Sequence, residues 1–303
     1  MRKLDNIDIR LLRVFVTLIE SGGFGPAQIA LNLSPSTLST HLSDLEKRVG
    51  GRLCVRGRNS LRLTDLGQAT FEAAKTLFGN LEDFRHRIAA ASGLLAGRLR
   101  IGIVDGVVTS SKLGLQNIIR RMLRPDFDVI IDVVQATPLE LEQAVANGDR
   151  DIAIGPFLQR APGIMYEPIY AEPHYLYCGI GHDLYSRPND SITSEIVQKA
   201  LFSVRSYRQL DDLYRIGSPK FSASVLQMEA QAMLILSGHF IGFLPEHLAA
   251  PFVASAQMRR IKPDSYFFSS QHHVIYKQHD KNRPLVQAFL CAVQAQTGES
   301  DEQ

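Results

Sequence analysis

Between Thr64 and Leu95 no proline interrupts the chain, and apolar residues recur every seven positions: Leu77, Phe84 and Ala91 in one series, Ala74, Leu81, Ile88 and Leu95 in the other. Two interleaved heptad series on one unbroken stretch predict a single long helix with a narrow apolar seam, capped at its start by Thr64. Such a seam needs a partner. Leu77, Leu81, Phe84 and Ile88 fit a coiled coil with a second copy of the chain; packing on the chain's own downstream region is the alternative. The helix also divides the sequence. Helical spacing dominates before it, and strands alternate with helices after it.

Ahead of it, Ile9, Leu12, Phe15, Leu18 and Ile19 recur at helical spacing behind Asp8, a candidate N-cap, and Gly22-Gly23 stops the run. A short second helix follows Pro26 and uses Ile29, Ala30 and Leu33. Ser34-Pro35 then places a capping hydroxyl before a proline at the first helical position, a strong start for a third helix reaching about Arg48. Leu38, Leu42, Leu45 and Val49 form its apolar stripe, which leaves Ser36, Thr37, Ser39, Thr40, His41 and Asp44 off the buried face. Short polar side chains near a helix N-terminus suit phosphates and base edges. Apolar runs at 53–55 and 61–63 flank Arg56-Gly57-Arg58-Asn59-Ser60 and predict a β-hairpin. Three helices and a hairpin make a winged helix-turn-helix.

Net charge alone, +2, points to no partner, but its distribution does. Residues 1–66 hold ten Lys/Arg against six Asp/Glu, and residues 67–303 hold 23 against 25. Arg52, Arg56, Arg58 and Arg62 crowd the hairpin. That is the electrostatic footprint of phosphate binding; a solvated basic face is the plain alternative.

Beyond Gly97 the strands are expected at 99–104, 129–134 and 151–155, then at 175–180, 201–204, 241–244 and 274–276. Helices are expected at 110–123, from Thr137-Pro138-Leu139-Glu140 (a capping box) to Ala146, at 228–237 and at 284–294. Alternation of this kind implies parallel sheets with ligand groups at the carboxyl ends of the strands. His272 and His273 are adjacent, so on a strand they point to opposite faces. The sequence has no HExxH, P-loop or GxSxG, and Asp211-Asp212 has no metal-ligand spacing. Catalysis is therefore not expected, and neither a metal nor a cofactor is called for. Three scattered cysteines (Cys54, Cys178, Cys291) make no disulfide framework and fit a reducing, cytoplasmic setting. No apolar run approaches the ~18–20 residues of a membrane span, and the charged start does not read as a signal peptide.

The stretches LLRVFVTLIESGGF, LSPSTLSTHLSDLEKRVGGRLCVRGRNSLRLTDLG, GRLRIGIVDG, NGDRDIAIGP and LILSGHFIGFLPEHLA resemble the LysR-type transcriptional regulators over nearly the whole chain. The resemblance implies an α+β and α/β multidomain protein: a winged helix-turn-helix at 1–64, a linker and dimerisation helix at 65–97, and at 98–303 an effector domain similar to periplasmic binding proteins. Its lobe I covers about 98–166 and 270–303, and its lobe II about 167–269. The sequence departs from the family pattern at Pro35, where Gln is common, at Thr40-His41, often Arg-Gln, and at Cys54, usually Phe.

The resemblance implies contacts to double-stranded promoter DNA from Ser34, Pro35, Ser36, Thr37, Thr40 and His41 in or near the major groove. It implies contacts from Arg56 and Arg58, with Arg52 and Arg62 as further candidates, on the backbone or minor groove. It implies a homodimer or homotetramer, with RNA polymerase as a candidate further partner and no membrane. A small, polar, anionic effector is expected between the lobes. Its candidate ligands are Asp105, Thr109, Ser110, Gln135, Thr137, Pro156 and Phe157 from the first lobe, with Ser203, Arg205, Tyr207 and His239 from the second. Thr137 also reads as a simple helix cap, and Arg205 as the partner of a local carboxylate. Asp105 and Arg205 together suit a ligand with both an amine and an acid, or they pair with each other. The function expected is a DNA-binding regulator under metabolite control; the alternative is a ligand-binding scaffold of the same architecture without a DNA role.

Overall fold

The computed structural model describes residues 5–56, 61–91, 95–123, 128–158, 160–217 and 220–298. The chain divides into two compact units, Met1–Arg85 and His86–Gln303.

In the first unit, α1 (Asn6–Glu20), α2 (Phe24–Leu31) and α3 (Pro35–Val49) precede a hairpin of β1 (Cys54–Arg56) and β2 (Leu61–Leu63), and α4 (Asp65–Ala91) follows. Leu12, Phe15 and Leu18 of α1 meet Leu38, Leu42 and Leu45 of α3 in one core. The N-cap of α1 is Asp5 rather than Asp8. Asp5 and Asp8 form a reciprocal capping box, so Asp8 serves it from the third position. That box also anchors α3, because Arg48 Nη1 reaches Asp8 Oδ1 at 2.8 Å. Glu46 Oε1 accepts the Leu53 N–H at 2.8 Å and ties the end of α3 to the hairpin. The second helix begins two residues before Pro26, at Phe24, and leaves Ile29 exposed.

Thr64 does cap α4: its Oγ1 accepts the Gly67 N–H at 2.9 Å. The seam of that helix is split. Ala74, Leu77 and Phe78 pack into the core of the first unit, while Leu81, Phe84 and Ile88 are exposed. Leu77 therefore has a partner within its own unit, because the helix lies along that core for its first turns.

In the second unit, β3 (Ala96–Ile103), α5 (Leu115–Met122), β4 (Asp128–Gln135), α6 (Pro138–Asn147) and β5 (Ile152–Gly155) build a parallel layer in the order β4-β3-β5. The chain crosses on β6 (Ile164–Gly179) and continues through α7 (Ser194–Lys199), β7 (Leu201–Arg205), α8 (Gln209–Ile216), β8 (Ala223–Val225) and α9 (Met228–Leu236). Then come β9 (Phe240–Pro245), α10 (Glu246–Ala254) and β10 (Met258–Arg260). It returns on β11 (Phe267–Lys277) and closes with α11 (Pro284–Gly298). The hydrogen-bonded order among the described strands is β4-β3-β5-β11-β6-β9-β7-β8, with β10 also on β6. β6 and β11 pair antiparallel from Phe267 opposite Tyr175 to Lys277 opposite Ile164, so both run through two of the unit's apolar cores, one around Ile101 and Phe289 and one around Phe202 and Phe243.

The sequence reading found only the last residues of β6. Pro168 and Pro173 conceal the rest. Along that stretch β11 is the partner among the described strands, so a missing N–H is tolerated on the open side. The expected helix at 110–123 starts later, at Leu115, after a 3-10 turn at Val107–Thr109.

Where β6 and β11 cross between the cores, Glu172 lies 2.8 Å from both His174 Nε2 and His247 Nε2, and His272 stacks on Tyr170. Burial pushes Glu172 up, but the His174 and His247 imidazoles outweigh it and hold the carboxyl far below the usual range. Burial in turn pulls His174 down to about 3.

A Cβ on Gly67 would stand 2.0 Å from the Leu53 carbonyl oxygen. Gly67→Ala is therefore expected to cost about 1–3 kcal/mol, read as a lower urea midpoint for the first unit; an unchanged midpoint contradicts the packing. His174 stays neutral in the folded chain down to about pH 3, whereas in the unfolded chain it protonates near ~6.5. Acid then favours the unfolded chain, and stability falls as pH drops below ~6.5 towards the folded value. Between about pH 6.5 and 5, where carboxylates remain ionised, His174→Gln should flatten the fall of Tm; an unaltered slope contradicts the assignment.

Candidate functional site

The first unit presents the N-terminus of α3. Ser34 caps it in extended backbone conformation with Pro35 at the first helical position, and its Oγ accepts the Thr37 N–H at 3.2 Å. The same Oγ lies 2.9 Å from Ser36 Oγ and 2.8 Å from Thr37 Oγ1, so three hydroxyls form one cluster at the helix start. Ser34, Pro35, Ser36 and Thr40 are exposed. Thr40 Oγ1 donates to the Ser36 carbonyl at 3.0 Å. His41 is half-buried and turns towards α1, in a depression of about 380 Å³ shared with Ile7, Arg10, Asp44 and Arg48. Arg52 and Arg62 are exposed beside and on the hairpin. Arg56 closes β1; its side chain, and Arg58 altogether, lie outside the described residues. The unit thus joins a helix N-terminus rich in hydroxyls to a basic hairpin.

The second unit holds a cleft between the two lobes, about 250 Å³ in volume. Four expected residues line it: Asp105 from the loop after β3, Gln135 at the end of β4, Thr137 at the cap of α6, and Tyr207 after β7. The sequence reading missed four more: Ala136, Glu140, Leu226 and Gln227. Glu140 was within reach of that reading, since it completes the capping box whose first residue was singled out. Thr137 plays both roles, for Glu140 Oε2 accepts its N–H at 2.9 Å and its hydroxyl at 2.7 Å while both residues face the cleft. Those bonds lower the Glu140 carboxyl below its ordinary value. Leu226 and Gln227 carried no signal: β8 is three residues long, and Gln227 caps α9 without a side-chain bond.

Asp105 supplies that missing cap from the opposite lobe. Its Oδ2 accepts the N–H of Met228, the first residue of α9. The approach needs Gly106, at φ +72°, where a Cβ would stand 3.1 Å from Met228 Sδ. Burial raises the Asp105 carboxyl; the Met228 N–H and the nearby Arg205 charge oppose it. A second bridge spans the lobes where Thr109 Oγ1 meets His247 Nδ1 at 2.7 Å, and His247 Nε2 meets Glu172.

Arg205, 1% exposed at the end of β7, sits behind Tyr207 with its guanidinium carbon 5.8 Å from the ring centre. It does not pair directly with Asp105. Asp212 stands 4.0 Å away, shared with Arg208, and among the described residues Arg205 Nε and Nη2 have no hydrogen-bond partner.

The remaining candidates support the lobes from inside. Ser110 is buried with its Oγ accepting the Leu113 N–H, and Ser203 Oγ donates to the Ile241 carbonyl. Pro156 is buried and Phe157 packs edge-on against Tyr166. His239 precedes β9, and Phe240 lies opposite Leu201, the end of β7 away from Arg205. It neighbours His182 instead of the cleft, because a parallel strand starts at the end remote from its ligand edge. His272 and His273 straddle a bulge in β11, His272 buried and His273 half-buried. Among the described residues no group of His, Cys, Asp and Glu could hold a metal ion, and no helix is long and apolar enough to cross a membrane.

Residues 9–68 match the model of the bacterial regulatory helix-turn-helix proteins of the lysR family, and residues 92–298 match that of the LysR substrate binding domain. The chain is 35% identical over 292 residues to the HTH-type transcriptional activator BauR of Pseudomonas aeruginosa, covering 96% of each chain. In fold it is similar to full-length CbnR complexed with its target DNA, with TM-score 0.62, 20% identity and coverage of 95% and 99%. It is likewise similar to full-length LysG of Corynebacterium glutamicum with bound effector Arg, with TM-score 0.60, 19% identity and coverage of 96% and 98%. At those identities the two structures speak for the fold alone. With both units matched and one relative aligned almost end to end, the chain belongs to the LysR family of DNA-binding, non-enzymatic transcription regulators that carry an effector-binding domain.

Proposed function

We propose that this regulator grips promoter DNA with α3 and the basic hairpin and responds to a small metabolite held between its lobes. The observation that carries the reading is the interlobe cleft, lined from both lobes and bridged across by Asp105 and Met228. At about 250 Å³ it lies below the ~300–1,000 Å³ of drug-sized pockets and suits a metabolite. An acidic group on that metabolite is supported by Arg205, whose buried guanidinium keeps two unmatched nitrogens. Unmatched buried donors favour an acceptor.

On the DNA side, the Ser34, Ser36, Thr37 and Thr40 hydroxyls and the helix N-terminus serve phosphates and base edges. Arg52 and Arg62, with Arg56 and Arg58 of the same hairpin, serve the backbone. His41, turned towards α1, acts at the rim of that surface. The exposed Leu81, Phe84 and Ile88 support a homodimer through α4, from which a tetramer is built. Effector control follows by linkage: a ligand preferring one arrangement of the lobes shifts the assembly by its differential affinity alone. RNA polymerase is the partner such a shift would engage at a promoter.

A mobility shift of the full chain on the DNA upstream of its own coding region tests the reading. Retention at low salt that weakens steeply as salt rises is expected; no retention contradicts it. Arg62→Ala should weaken all duplexes alike and lower the slope of log K against log salt by about one. An unaltered slope removes the hairpin from the interface.

A further inference from the structure

We propose that the effector carries a cationic nitrogen, an ammonium or guanidinium, received by the Asp105 carboxylate with Glu140 beside it on the wall of the cleft. The proposal rests on the cleft being the effector site and adds the chemical class of the ligand.

The wall of the cleft is acidic. Of the residues lining the cleft, Asp105 and Glu140 bear carboxylates, the others are neutral, and no Lys or Arg is among them. The nearby cations stand behind the wall and do not line it. Arg205 and Arg208 share Asp212, and Arg205 also feels the Glu172 carboxylate. His174 and His272 are kept neutral by burial, and His247 is engaged by Thr109 and Glu172. What faces the ligand is a net negative wall.

Asp105 retains capacity for such a ligand. A carboxylate offers about four acceptor positions, and the Met228 N–H uses one of them. The charge is also 8% exposed, where an unpaired carboxylate is costly and a bound cation is most strongly felt. Glu140, held ionised by its capping box, adds a second negative charge at the more open side. With the unmatched nitrogens of Arg205 on the far side of Tyr207, the ligand class is one with separated cationic and acidic ends: an amino acid or a close analogue.

Calorimetry and thermal shift on the full chain test this with three matched panels. The first is the protein amino acids and straight-chain ω-amino acids, the second the corresponding acids without nitrogen, and the third the corresponding amines without the acid. A member of the first panel is expected to bind about tenfold or more tighter than its nitrogen-free counterpart. Asp105→Asn, whose amide oxygen still caps Met228, should erase that preference, and Glu140→Gln, which keeps the capping box, should reduce it. A nitrogen-free acid binding as tightly as its amino counterpart overturns the cationic ligand while sparing an acid site in the cleft. A preference that survives Asp105→Asn overturns the assignment to Asp105. Amines alone binding as tightly as amino acids support the cation and remove the acidic end. Absence of binding across all three panels overturns both the cationic ligand and the cleft reading.

Discussion

The antiparallel pairing of β6 with β11 is the constraint on which the effector domain depends. Both strands pass through the same two apolar cores and carry the chain across and back. Two crossings allow the lobes to open and close while keeping them in register. The polar groups at the crossing are concentrated on Glu172, which gathers His174, His247 and His272. From there the connection runs through His247 to Thr109 in the first lobe. The cleft above is bridged by a different device, a carboxylate from one lobe capping a helix of the other. A ligand that contacts Asp105 therefore touches the same atom group that joins the lobes, and this is how occupancy can be felt as a change in lobe arrangement.

The first unit holds its third helix rigidly behind an exposed N-terminal turn. The Asp5–Asp8 box, the Arg48 bridge and the Glu46 carboxylate fix the C-terminal end of α3 against α1 and the hairpin. Arg48–Asp8 is part-buried and geometrically close, so it positions more than an exposed pair would. What this frame leaves to solvent is the hydroxyl-rich first turn of α3, with Arg52 and Arg62 at the hairpin. That division separates residues that hold the fold from residues free to meet a polyanion.

Where local chemistry decided the structure, the sequence was legible. Ser34-Pro35, the Thr137 capping box and Thr64 each cap a helix by their own side chain. The heptads of α4 were legible as a helix but not as two surfaces. Whether Leu77 faces its own core or a second copy depends on three-dimensional packing that spacing does not encode. Where long-range contacts decided, the signal was weak or misleading. β6 carries two prolines and reads as a shorter strand, and α9 has no cap of its own because Asp105 provides it from another lobe. Asp105, Gln135, Thr137 and Tyr207 come together because strand ends and helix starts converge on one cleft; His239 lies away from it because its strand starts at the opposite end.

Reciprocity tests the central claim, that occupancy of the cleft and grip on DNA are coupled, most directly. The measurement is the affinity of the tightest-binding amino acid for the full chain, free and saturated with its upstream DNA, together with the DNA footprint with and without that ligand. The ligand's affinity is expected to differ between the two states, and the footprint to shift on its addition. Identical ligand affinity in both states, with an unchanged footprint, would contradict it.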